Sequence, residues 1–88
     1  MVRYDLRINA SAAHELEGVG TKADRRSLVR RMERLADDPR PPGCAKLTGR
    51  GLYRVRQGRY RIVYEVRDAE LVVLVIRIGD RRDVYRAT

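Results

Sequence analysis

Four arginines crowd positions 54, 56, 59 and 61 of the stretch LYRVRQGRYRIVYEV. A guanidinium is a planar, permanently charged fork of five donors, well matched to phosphate and to the charge that builds on phosphorus during a displacement. With a pKa above about 12 it is a poor base. The chemistry within reach of this stretch is therefore anion binding and transition-state stabilisation. A second cluster, GDRRDVYR at 79–86, adds Arg81, Arg82 and Tyr85. The Tyr85 phenol can stack on a nucleobase or, with its pKa lowered by neighbouring arginines, accept a proton. It can equally fold back to cover the sheet.

The spacing predicts a hairpin. Gln57-Gly58 reads as a two-residue turn between alternating runs. That turn sets Tyr53 opposite Ile62 and Val55 opposite Tyr60 on an apolar face. On the other face it sets Arg54 opposite Arg61 and Arg56 opposite Arg59. Directly opposed like charges destabilise a sheet. A polyanion lying across the hairpin would compensate; a solvated face with splayed arginines is the alternative.

Other reactive residues carry weaker patterns. His14 stands beside Glu15, far in sequence from the arginines, and reads as a surface histidine. Cys44 has only Lys46 nearby as a thiolate-stabilising cation, and a lone cysteine forms no internal disulfide, which points to a reducing, cytoplasmic setting. Asp37-Asp38 reads as a helix end, while Asp80 and Asp83 flank arginines and suit ion pairs better than metal. One histidine and one cysteine make no ordinary zinc site. No phosphate-binding glycine loop, dinucleotide fingerprint or paired-carboxylate spacing occurs. No metal or cofactor is expected.

The elements that must position these groups follow from periodicity. The chain has 88 residues, 43% apolar and 36% charged, with net charge +8, and 18 of its 20 cationic side chains are arginine. That length fits one domain, 1–88, with a thin core. The longest apolar run, Leu71 to Ile76, is too short to span a bilayer, and the N-terminus lacks a signal-peptide pattern. Val2, Tyr4, Leu6 and Ile8 alternate as one face of a strand. Asn9 or Ser11 can cap a short helix ending near Gly18 and Gly20, and Thr21 with Asp24 can cap a second. The second helix carries Leu28, Val29, Met32, Leu35 and Ala36 at helical spacing and stops before Pro39. A proline- and glycine-bearing loop spans 40–50. Strands are predicted over 52–56, 59–67 and 71–78, the last apolar on both faces as a central strand would be. The prediction is an α+β fold, β-α-α-β-β-β: an N-terminal strand, a two-helix hairpin, then a three-stranded antiparallel meander completing one twisted sheet.

The second half resembles the RelE side of the RelE/ParE toxin superfamily. The resemblance rests on KLTG at 46–49, LYRVR at 52–56, YRIVYEV at 60–66, the strand LVVLVIRIG and the ending GDRRDVYR. The first half is similar in pattern, so nearly the whole chain is covered. The resemblance implies a type II toxin that enters the ribosomal A site and cleaves mRNA without a metal, inhibiting translation. It also implies a cognate antitoxin that wraps and neutralises the toxin, with operator DNA contacted only through that antitoxin, and no membrane partner. Carried over by position, Arg54, Arg61, Arg81 and Tyr85 form the catalytic set, and Arg56, Arg59, Lys46 and Arg82 the RNA contacts. Arg54 and Arg56 stand where well-known members have lysines, and Asp80 stands where a lysine or histidine is common. Two other readings stay open: a ParE-like inhibitor of DNA gyrase on the same fold, and an inactive RNA-binding homologue.

Overall fold

The computed structural model describes residues 2–80. The elements are β1 (Asp5–Ile8), α1 (Ala10–Glu17), α2 (Lys22–Asp37), β2 (Ala45–Lys46), β3 (Leu52–Gln57), β4 (Tyr60–Arg67) and β5 (Val72–Asp80). The five strands form one sheet in the order β1-β5-β4-β3-β2. β1 runs parallel to β5, and the other pairs are antiparallel. The α+β architecture predicted from periodicity is present.

The caps explain the helix hairpin. Ala12 N–H donates to the Asn9 side chain at 2.8 Å and Asp24 N–H to the Thr21 hydroxyl at 3.1 Å, each satisfying a donor that the helix leaves open. Asp38, extended at φ −143° before Pro39, ends α2. Leu28, Met32 and Leu35 then bury in one core cluster with Val55, Ile62, Tyr64, Val66, Val73, Val75 and Ile78 of the sheet, and Ala36 is buried as well. Val29 lies at the edge of this arc and is 38% exposed, contrary to its expected place in the core. Val2 is also exposed, because the strand begins only at Asp5.

Two features escaped the periodicity. The 40–50 loop contains β2, whose Ala45 and Lys46 pair with Arg54 and Tyr53; two residues are too few to show alternation. In β5, Val63 of β4 faces Arg77 while Tyr64 faces Val75, so Ile76 is an extra bulged residue. The inward positions shift there from Val73 and Val75 to Ile78, while Val72 and Leu74 put apolar side chains on the outer face as well, so this run reads as apolar on both faces. Gly51 has φ +67°, and a Cβ there would lie 2.8 Å from the Val66 carbonyl oxygen, so only glycine lets β3 start this close to β4.

Candidate nucleic-acid interface

The hairpin turn is Gly58-Arg59, one residue later than the predicted Gln57-Gly58, since Gln57 pairs with Tyr60. Gly58 takes φ +60° as the first central residue and Arg59 keeps a negative φ, the pattern of a type II′ turn. Glycine serves the second position of one hairpin turn and the first of another, so the sequence alone did not choose. The shift corrects every predicted pair. Val55 faces Ile62 and Tyr53 faces Tyr64 on the helix side. On the outer side Arg56 faces Arg61 and Arg54 faces Val63. One opposed arginine pair remains instead of two, with Arg54 two residues along β3 on the same face.

Arg61 lies on the middle strand. Its other neighbour across the ladder is Gly79, which brings no side chain to compete for space. Arg61 is 2% exposed, and it is the buried charged residue among those described. Arg56 is exposed. A recess of about 130 Å³ is lined by Arg56, Gly58, Arg59, Tyr60 and Arg61. Arg59 turns away from this pair: its Nε and Nη2 lie 2.8 and 2.6 Å from Asp80 Oδ2, and its guanidinium carbon sits 5.8 Å from the Tyr60 ring centroid. The Asp80 hydrogen bond raises the Arg59 pKa further. Asp80 thus holds the hairpin turn to the end of β5. Lys46, opposite Tyr53, belongs to the helix side of the sheet, apart from Arg54, Arg56 and Arg61. Arg81, Arg82 and Tyr85 lie outside the described residues. Among the described residues no cluster of histidine, cysteine and carboxylate side chains could hold a metal ion.

A second polar network sits at the other end of the sheet and had no sequence signal, because its members are far apart in the chain. Arg40 donates to both Asp68 oxygens, at 2.6 and 3.2 Å, and its Nε donates to the Tyr53 hydroxyl at 3.0 Å. Tyr4 donates to Asp68 at 2.6 Å. These two donors, Arg40 foremost, hold the Asp68 carboxyl below its ordinary value; the same carboxylate pushes the Tyr4 phenol up. Tyr53 stacks on Tyr64 with ring centroids 5.9 Å apart, and the buried Tyr64 hydroxyl donates to the Pro39 carbonyl at 2.7 Å. Burial above all raises the Tyr64 pKa, so that phenol stays protonated as a donor. All these groups are spent on each other and fasten the 38–44 loop to the sheet.

Known proteins resemble the chain in sequence and in fold. The family described as "ParE toxin of type II toxin-antitoxin system, parDE" matches residues 6–85. A RelE-like toxin protein of Escherichia coli is 30% identical over 89 residues, covering 96% of this chain and 92% of that one. The RelE of an archaeal RelE-RelB complex from Pyrococcus horikoshii superposes with a TM-score of 0.80 at 29% identity, over 92% of this chain and 97% of its own. The isolated E. coli RelE toxin superposes with a TM-score of 0.75 at 30% identity, over 96% and 93%.

Proposed function

Because the chain belongs to the RelE/ParE superfamily of type II toxin–antitoxin toxins, we propose that its outer arginine face binds and cleaves mRNA in the ribosomal A site. The observation that carries this reading is the opposed pair Arg56 and Arg61, with Arg54 beside it on one face of the sheet. Cations kept side by side at a cost in stability are matched to an anionic ligand.

In the proposed reaction the RNA 2′-hydroxyl attacks the adjacent phosphorus. Its proton passes to a base and the P–O5′ bond breaks. The leaving 5′ oxygen takes up a proton, giving a cyclic phosphate and a free 5′-hydroxyl. Arg54, Arg61 and Arg81 stabilise the phosphorane, and Tyr85 is the base. Arg56 and Arg82 hold flanking phosphates. Arg59 is bridged to Asp80 and Lys46 faces the helix side, so both are assigned lesser parts. Contact between a phosphate and Arg61 requires that its burial be relieved. A site rich in arginine and poor in acid/base groups relies on in-line positioning, which the ribosome supplies. A cytoplasmic, acidic and partly disordered antitoxin that folds on contact is the partner this +8 chain suits.

The test is cleavage by purified protein of mRNA in the A site of programmed ribosomes, beside the same RNA naked. Cutting only on the ribosome is the expected result; efficient cutting of naked RNA at low enzyme concentration overturns ribosome dependence. The family match to ParE favours a second reading, a gyrase inhibitor. Primer extension after induction separates the two: new mRNA 5′ ends support the RNase, whereas intact mRNA with accumulated gyrase–DNA breaks supports the other.

A further inference from the structure

The outer surface of α2 carries a second basic array. Lys22, Arg26, Arg30 and Arg34 are all exposed. They recur every four residues, so each lies about 6 Å further along and about 40° further round the helix, a band about 18 Å long that winds across its outer side. This face is opposite the buried Leu28, Met32, Leu35 and Ala36. Like charges at four-residue spacing weaken a helix, and here such pairs follow one another without a break. Lys22 adds a cation in the first turn, where the helix dipole repels it. Nearby acids do not cancel the array: Asp37 pairs with Arg3, and none of the four cations has an ion pair or hydrogen bond among the described residues.

We propose that this ladder is a second RNA-binding surface, which grips the phosphate backbone of an RNA helix other than the strand being cut. The claim rests on the reading of this chain as a ribosome-dependent toxin. The arginine hairpin lies on the sheet face turned away from the helices, and the ladder lies on the outside of the helix layer. The two surfaces look in opposite directions across a molecule of 34 × 26 × 25 Å. RNA held at one is therefore not the stretch held at the other, and a partner that surrounds the protein with RNA engages both. Ribosomal RNA around the A site is such a partner. The chemistry favours RNA over an acidic protein. The groove along this face, about 440 Å³, is lined by Lys22, Arg25, Arg26, Val29, Arg30 and Glu33, and Val29 is its one apolar side chain. Cores of protein–protein interfaces are depleted of charge, whereas nucleic-acid interfaces are polar and strongly positive.

The decisive variant is Arg26→Gln/Arg30→Gln/Arg34→Gln, since glutamine preserves helix propensity while removing charge. Ribosome titrations at several salt concentrations should show the half-saturating concentration rising about tenfold or more. The slope of log affinity against log salt should shrink by about 2 to 3, one step per lost phosphate contact. The cleavage rate at saturation should not change, and thermal melts should be no lower than the parent's. The corresponding triple arginine-to-lysine variant should keep the slope. An unchanged slope overturns the proposal. A saturated rate that falls while the slope holds also overturns it, as does loss of antitoxin binding with ribosome affinity intact. Anisotropy titration of a naked RNA hairpin tests the ladder independently of cleavage. If the parent never cuts mRNA yet binds the hairpin with a ladder-dependent salt slope, the enzymatic reading fails and the surface stands. If the hairpin slope ignores the ladder, the surface fails whatever the protein cuts.

Discussion

Arg40 and Arg56 sit toward opposite ends of β3 and keep opposite company. Arg40 is held by both oxygens of Asp68, by the Tyr53 hydroxyl and by the Tyr53 ring, its guanidinium carbon 5.3 Å from the centroid. Arg56 looks across the ladder at another arginine. The first arrangement closes on itself and leaves nothing for a ligand. The second sets two like charges directly against each other, an arrangement that by itself works against the fold. In a chain this rich in arginine, abundance says little about role; the side chain directly opposite says more.

Four measurements test this contrast. The largest effect is expected from Arg61→Gln. Losing a charged donor to the phosphorane costs about 2–4 kcal/mol of transition-state stabilisation, a fall of roughly 30- to 1,000-fold in the A-site cleavage rate. A normal rate would make Arg61 structural and collapse the distinction. Next comes Tyr64→Phe at the closed end. It strips the buried Pro39 carbonyl of its donor, so denaturant unfolding should report a loss of about 1–3 kcal/mol with cleavage retained. Third, Arg56→Gln should raise stability by a few tenths up to about 1 kcal/mol, most visibly at low salt where repulsion is least screened. A lower melting temperature at low salt would show that the pair is not in conflict. The smallest effect belongs to Asp68→Asn. Folding lowers the Asp68 pKa, so its contribution is full above its ordinary value of 3.8 and fades as pH falls below it. The variant should melt slightly below the parent at neutral pH and converge with it in acid; a constant gap across that range would remove ionisation from the account.

Much of the architecture could be read from local chemistry. Asn9 or Ser11, Thr21 and Pro39 mark the helix boundaries, and alternation in 52–56 and 59–67 marks the hairpin, because caps and period are local properties. What failed was what depends on phase. One residue of ambiguity around Gly58 moved Arg59 from the strand into the turn and replaced Arg54 by Arg56 opposite Arg61. The bulge at Ile76 hid which side of β5 faces the helices. The site was legible as a set of arginines on one hairpin, but not as a geometry. Burial of Arg61, the Arg59–Asp80 bridge and the Arg40–Asp68 network all join residues separated by many positions, for which sequence spacing holds no information.

β1 ends at Ile8, paired to Val75, so the outer edge of β5 beyond that point has no strand beside it among the described residues. Glu15 reaches from α1 to fill that position: its Oε1 accepts the Ile78 N–H at 3.0 Å, and its Oε2 lies 3.4 Å from Arg77. An open strand edge invites a neighbouring molecule to dock there and seed aggregation. Any incoming strand must first expel a carboxylate and then bury its own backbone beside a charged side chain. One acidic residue on a helix thus works as a stopper against edge-to-edge association at this end of β5.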